Sequence, residues 1–338
     1  MNTPRRSRTR PSEREHRRTP RDPRQAGLGA FPCPQRDRRG TLRQRIWRER
    51  WTYTFIVPGA LFFLVFAYAP MAGNVVAFQQ YSPFRGFAGS PFIGFANFTV
   101  LFQDPAILQA LENTLVIAVL QLVFAFPAPI ALALLLNSLI SDRLKRMVQT
   151  VVYLPYFLSW VIVISVWQQV LGGGGLIAGL LDGWGASGFD AMTNADTFKL
   201  LVVAQNIWKD SGWGTIIFFA AIAGIPNERY EAAAIDGATP WQRTWHITLP
   251  ALVPVATLLL ILNIGSILTV GFEQLLLQQP MVGAEASEVL DTFVYFRGVL
   301  GGQWGIATAA GLLKGVIGTI LVLSANRVAK RLGGEGIF

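Results

Sequence analysis

The sequence predicts an all-α polytopic membrane protein with six transmembrane helices, and three observations carry that prediction. Of 338 residues, 52% are hydrophobic and only 14% charged, with a positive mean hydropathy of +0.40, a balance that marks membrane chains among polypeptides of this length. The apolar residues gather into runs near the roughly 20 residues that a helix needs to cross a hydrocarbon core. Lysine and arginine are distributed unevenly among the connections between those runs, as expected where charge fixes orientation.

The runs fall at residues 51–71, 113–136, 147–171, 198–224, 251–272 and 304–326. Most carry proline or glycine, among them Pro58, Pro127, Pro129, Pro155 and Gly265. Membrane helices tolerate such residues where neighbours satisfy the freed backbone groups, so kinked helices lining a pathway are expected. The first run ends near the small-residue triplet Ala67-Tyr68-Ala69 and follows a basic stretch, features shared with cleaved signal peptides. The basic stretch is too long for that role and Pro70 follows the would-be cleavage point, so the run is read as a retained helix.

With the N-terminus inside, the inner connections receive Arg143, Lys145, Arg146, Arg229 and Arg243, and the end of the chain receives Arg327, Lys330 and Arg331. The outer side keeps Arg85, Arg297 and Lys199. Both termini are therefore expected in the cytoplasm, with the protein multi-pass in the plasma membrane. The outer connections 73–112, 172–197 and 273–303 are expected to contain short helices lying along the surface.

Residues 1–48 form a separate segment. Sixteen of the 29 basic residues are arginines among the first 50 positions, mixed with Pro, Ser, Thr and Glu. Such composition cannot bury enough surface to offset ordering, and a disordered cytoplasmic tail touching anionic lipid headgroups is expected. No aromatic interleaving or recognition motif accompanies it, so no nucleic-acid partner is expected. The remainder divides into a membrane domain at 49–330, with a cytoplasmic insertion at 226–250, and a short cytoplasmic C-terminus at 331–338.

The residue inventory restricts the chemistry. Cys33 is the single cysteine, and His16 and His246 are the only histidines, so neither a disulfide framework nor a Cys/His metal cluster can form. His246 reads as a packing or surface residue. No Gly-x-x-x-x-Gly-Lys-Ser/Thr phosphate loop occurs, so the chain is not expected to bind or hydrolyse ATP. No cofactor, metal or enzymatic activity is expected of it.

Polar residues within the runs are the candidates for a transport path, because charge in lipid is costly and usually faces a bundle interior. The fourth run holds Asn206, Lys209, Asp210 and Ser211, the fifth holds Asn263 and Ser266 and ends at Glu273 and Gln274, and the sixth holds Lys314. For Lys314, an ion pair with Asp210 or Glu273 competes with direct substrate contact. Tyr156, Trp160, Trp167 and Trp213 serve either as interfacial anchors or as stacking platforms, the former being commoner.

Between the fourth and fifth runs, the sequence reads as two short helices. Asn227 is a candidate N-cap, the Ala-rich stretch to Ile235 favours helix, and Gly237 offers a left-handed stop. Thr239, Pro240 and Gln242 form a capping-box pattern with proline at the first helical position. Local pattern alone fits an ordinary helical hairpin as well as a docking element with Glu231 and Asp236 available for charged contacts.

The spacing Glu231-Ala232-Ala233, three residues, Gly237, nine residues, Ile247, one residue, Leu249-Pro250 resembles the EAA motif of permease subunits in bacterial ATP-binding-cassette importers, and every position fits. The stretches 81–87, 124–129, 148–155, 264–273 and 333–338 extend the resemblance, from about residue 51 onward, to carbohydrate-importer permeases of the complex-oligosaccharide branch. It implies a type I importer permease fold and alternating access. The helix pair at 226–250 would then be the coupling helices seated on a separate ATPase, with Glu231 contacting it, Gly237 making the bend and Asp236 alongside. The implied partners are an ABC ATPase dimer, a second permease subunit in a heterodimer, an extracytoplasmic solute-binding protein and an oligosaccharide substrate, all around membrane lipid. An importer of another small polar solute, or an ion-coupled secondary transporter resting on Asp210 and Lys314, are the alternatives.

Overall fold

The computed structural model describes Trp47 and residues 50–186 and 188–331. The tail and C-terminal readings at 1–46 and 332–338, including Cys33 and His16, lie outside the described residues. Helices dominate, and among the described residues the pairing of Gln79 with Phe92 is an isolated antiparallel bridge rather than a strand. The chain divides into two units, up to Phe66 and from Ala67 onward. In the first, helix α1 (Arg50–Phe63) buries none of its residues, and the Arg50 guanidinium lies over the Trp47 ring at 4.7 Å and the Trp51 ring at 5.7 Å.

Five helical stretches are long and apolar enough to cross a membrane: Arg50–Phe78, Pro105–Ser138, Trp160–Gly183, Pro240–Gly265 and Trp304–Val328. The fourth expected span is a single 29-residue helix, Ala195–Ala223, long enough to cross but less apolar. Gln205, Lys209, Ser211 and Thr215 on it are buried against neighbouring protein, which is how a polar helix is accommodated at membrane depth.

In the second unit, α2 (Pro105–Leu120) starts where Asp104 accepts a 2.9 Å hydrogen bond from the Ala106 amide and Pro105 occupies the first turn. A π turn at Gln121–Ala125 then leads into α3 (Pro127–Ser138). Proline has no amide donor and its ring crowds the carbonyl four residues back, so widening the preceding turn keeps the helix running. The same solution recurs at Thr244–Thr248 ahead of Pro250.

The third expected span, 147–171, is not one helix. It consists of α4 (Asp142–Tyr153), a 3-10 turn at Leu154–Phe157, and α5 (Trp160–Leu171), which restarts with Ser159 as its cap. Pro155 within the turn supplies the reason, since it removes one donor and restricts the residue before it. The fifth expected span likewise stops short. Helix α9 (Leu249–Gly265) ends before a turn that reverses at Gly271, φ +100°, into α10 (Phe272–Val282).

Helix α6 (Ala195–Ala223) is central. It packs on α3 through Gly214, where a β-carbon would approach Pro129 Cγ to 2.9 Å, and through Thr215 Oγ1, which donates to the Pro129 carbonyl at 3.3 Å. Ala133, Phe218, Ile222 and Leu252 fill the core at that end, while Ile117, Phe198, Val202, Val270, Leu275 and Val289 fill it at the other. The last helix, α11 (Trp304–Arg331), contributes Ala309 and Ala310 to a third cluster with Leu101, Ile107, Leu290 and Phe293. Short helices occur in the connections expected on the outer side, including Leu176–Gly183, Ala284–Ser287 and Leu290–Val294.

Candidate functional sites: a docking element and a polar cavity

The helix pair forms as the residue pattern requires, with one correction. Helix α7 (Asn227–Ile235) begins at Asn227 itself, preceded by Pro226, and makes no side-chain cap. The extended conformation of Pro226, φ −58° and ψ 131°, takes the capping position first. At the other end the Ala238 amide donates to the Ala233 carbonyl at 2.9 Å and the Gly237 amide donates to Ala234 at 3.1 Å. These two bonds close a Schellman turn, with Gly237 left-handed at φ +79°. Helix α8 (Pro240–Arg243) follows, and its Thr239–Gln242 capping box is complete.

The pair presents Glu231, Ala232, Asp236 and Pro250 to solvent, with Ala233, Ile247 and Leu249 half-buried. Ala233, Asp236, Gly237, Arg243, His246 and Ile247 border a cleft of about 350 Å³ at the bend. His246 is exposed, its Nδ1 3.0 Å from the Gln242 carbonyl. Ile235 is 87% exposed and Trp241 70% exposed, large apolar surfaces at the tip of a solvent-facing element. Tyr230 and Thr248 join their hydroxyls at 2.9 Å and bind α7 to the turn entering α9. The result is a rigid, bent, locally self-supporting projection.

A cavity of about 500 Å³ lies between the Gln121–Pro129 stretch, α6 and α9. It gathers four of the candidate path residues, Asn206, Asp210, Asn263 and Ser266, with Gln121 and Thr269 adding further polar groups. Asn206 Nδ2 donates to Asp210 Oδ2 at 3.0 Å, fixing both on one face of α6. Ser211 Oγ, buried at this wall, has no hydrogen-bond partner. Phe126 and Phe218 supply apolar surface. Amide, hydroxyl and carboxylate groups alternating with rings suit a ligand carrying many hydroxyls and C–H faces.

The other three candidates lie elsewhere. Lys209 is directed at the break in the third segment, its Nζ donating to the Tyr156 carbonyl at 2.9 Å and the Leu158 carbonyl at 2.7 Å. Glu273 is exposed in the first turn of α10, outside the cavity lining. Lys314 pairs with neither Asp210 nor Glu273. Its Nζ meets Asp291 Oδ1 at 2.6 Å and Thr269 Oγ1 at 2.9 Å, because α11 faces the short helix Leu290–Val294 there. Lys314 borders a neighbouring groove of about 470 Å³ that shares Ser266 and Thr269 with the cavity.

Among the buried amides, sequence reasoning missed Gln205, Gln278 and Asn113 and named Gln274 only as the polar end of the fifth run. Gln205 and Gln278 exchange hydrogen bonds at 3.1 and 3.0 Å, and Gln274 Nε2 donates to Gln205 Oε1 at 2.7 Å. Asn113 donates to the Glu285 and Glu288 carbonyls at 3.0 and 2.9 Å, pinning the outer connection to α2. Near it Arg297 and Asp104 form a 3.0 Å ion pair. Burial raises the Glu288 carboxyl above its ordinary pKa, Arg297 opposing that shift and Asp104 adding to it. The spacing of Gln274 and Gln278, four apart on one helix face, was the available signal.

Residues 125–334 match the family described as binding-protein-dependent transport system inner membrane component. Among curated relatives, Protein LplB of Bacillus subtilis is 44% identical over 292 residues, covering 86% of this chain and 92% of the relative. The polygalacturonan/rhamnogalacturonan transport system permease protein YteP, also of Bacillus subtilis, is 43% identical over 305 residues, covering 90% and 95%. A chain from the crystal structure of a bacterial ABC transporter that imports the acidic polysaccharide alginate superposes with a TM-score of 0.79 at 38% identity, covering 86% of this chain and 98% of that one. Against a chain from the crystal structure of a bacterial alginate ABC transporter in complex with an alginate pentasaccharide-bound periplasmic protein the TM-score is 0.80 at 38% identity, with 88% and 99% covered.

Proposed function

The chain belongs to the binding-protein-dependent transport system inner membrane components, the permease subunits of ATP-driven importers, and on that premise we propose that it carries an oligosaccharide through the cavity between α3, α6 and α9. The names of its relatives, one for pectic polymers and one for alginate, support the substrate class. The observation that carries the reading is the pairing of a polar cavity with the bent projection at 226–250, joined by the single helix α6.

In this reading the projection is the coupling element. Glu231, Ala232, Ala233, Asp236 and Gly237 face a separate ATPase dimer, while Ile247, Leu249 and Pro250 anchor the element to α9. ATP is bound and hydrolysed by that other subunit. An extracytoplasmic binding protein delivers the solute, a second and different permease chain supplies the other half of the path, and ATP-driven closure reorients the helices. Asn206, Asp210, Asn263 and Ser266 meet substrate. The membrane domain at 49–330 has the projection and both termini on the cytoplasmic side, where Arg143, Arg146, Arg229, Arg243 and Arg327 would follow the positive-inside bias.

Proteoliposomes holding the complete complex test this. Uptake of oligosaccharide is expected to require ATP and loaded binding protein and to be abolished by vanadate. Uptake driven by an imposed ion gradient and indifferent to vanadate would instead establish a secondary transporter.

A further inference from the structure

Lys209 is 7% exposed and carries a charge in the middle of a helix, yet its ammonium is directed at backbone. It donates to two carbonyls in the break after α4, those of Tyr156 and Leu158. Its Nζ also lies 5.6 Å from the Tyr156 ring centroid and 5.5 Å from that of Trp160. Three residues on, a β-carbon at Gly212 would collide with the Val152 carbonyl, so α6 and the end of α4 touch backbone to backbone. Trp213 stacks on Tyr156 with centroids 4.7 Å apart and planes at 8°. The 3-10 turn and its flanks, from Val152 to Trp160, are thus held by one short stretch of α6.

The same stretch serves two further places. Asn206 and Asp210, flanking Lys209 in sequence, line the cavity. The C-terminal end of α6 runs through Gly224 and Pro226 directly into the projection.

We propose that Lys209 is a positioning residue for transport: its double hydrogen bond makes the break at 154–159 move with α6, so that displacement of the projection reaches the third segment and the cavity wall together. The proposal rests on the importer reading above. Burying an ammonium is costly, and the bonds to the two carbonyls, with the Asp210 carboxylate next in sequence, are the compensation that holds the turn in one geometry. An apolar side chain of similar length would fill the space and leave the two carbonyls unbonded and the break free to move independently.

The test uses the complete complex in proteoliposomes with the variants Lys209→Met, Lys209→Gln and Lys209→Arg. Lys209→Met is expected to retain partner subunits and basal ATP hydrolysis within about twofold, while uptake per ATP hydrolysed falls at least about tenfold. Lys209→Arg, which also presents several donors, is expected to restore at least half of that ratio. Hydrogen exchange in the same complexes is expected to rise at 154–159 in Lys209→Met and to lose its dependence on ATP there. An unchanged uptake-to-hydrolysis ratio in Lys209→Met overturns the proposal. So does loss of assembly in both the Met and Gln variants, which would leave a folding role alone. If wild-type complex moves no oligosaccharide but its exchange at 154–159 still responds to ATP through Lys209, the substrate reading fails and the positioning role stands.

Discussion

The projection at 226–250 and the connection at 273–303, expected on the outer side, are held together in opposite ways. The projection is tied by near neighbours: its Schellman turn closes over five residues and its capping box over three, and its faces stay in solvent. The outer connection is tied by partners distant in the chain, Asn113 reaching Glu285 and Glu288 and Gln205 reaching Gln274 and Gln278, all with buried amides. A locally closed element keeps its shape while its surroundings move. A connection stitched across the fold keeps its place only while those surroundings stay put. The first construction suits a part that is pushed, and the second suits a part that stays packed against the bundle.

Replacing Gly237 with valine strikes hardest at this contrast. A β-branched residue at φ +79° is strained by about 1–2 kcal/mol, and the bend would open. Uptake in the reconstituted complex is expected to fall at least about tenfold, or the ATPase to be lost, with membrane insertion unchanged. Normal uptake and assembly would remove the projection from the coupling role.

Replacing Gln205 with leucine probes the other construction. It removes the oxygen that accepts from both Gln274 and Gln278 and the donor to Gln278 Oε1, while the two amide nitrogens keep their bonds to the Val202 and Gln274 carbonyls, a net loss of about 1–3 kcal/mol. The thermal midpoint of the complex is expected to drop by several degrees, while the ratio of uptake to hydrolysis below that temperature stays near wild type. A changed ratio with unchanged stability would show that the amide network moves during transport.

The smallest effect concerns acid. Glu288 has its pKa raised in the fold, so ionising it opposes folding. The penalty is absent below the ordinary carboxylate pKa, grows as pH rises from there through the raised value, and is constant above it. Lowering pH from neutrality through that window is therefore expected to steady the outer connection, and Glu288→Gln to flatten the response, as thermal unfolding between about pH 4 and pH 7 would read.

The same contrast explains how far the sequence could be read. Gly237, the Thr239–Gln242 box and the left-handed turn were legible because each depends on residues within one helical turn. Most of the helices and the polar wall formed by Asn206, Asp210, Asn263 and Ser266 were legible from composition and periodicity. The partner of Lys314 was not, because Asp291 comes close only through the way α11 packs against a short helix in the preceding connection. The target of Lys209 was hidden for a similar reason. An expected unbroken helix at 147–171 has no free carbonyls to offer, and only the stop at Pro155 creates them.

Helix α6 also has a consequence for how the protein is made. Translocon insertion charges roughly 2.5–3.5 kcal/mol for a lysine or aspartate at a helix centre, and α6 carries Lys209 and Asp210 side by side. It is less apolar than the five stretches long and apolar enough to cross, so it is expected to enter the bilayer efficiently only when the third segment is already there to receive Lys209. A glycosylation-mapping assay on residues 195–223 in a neutral host is expected to show poor insertion, improving when residues 142–171 precede them. The lysine that the mature transporter would use to transmit movement would then, at birth, oblige two helices to enter the membrane as a pair.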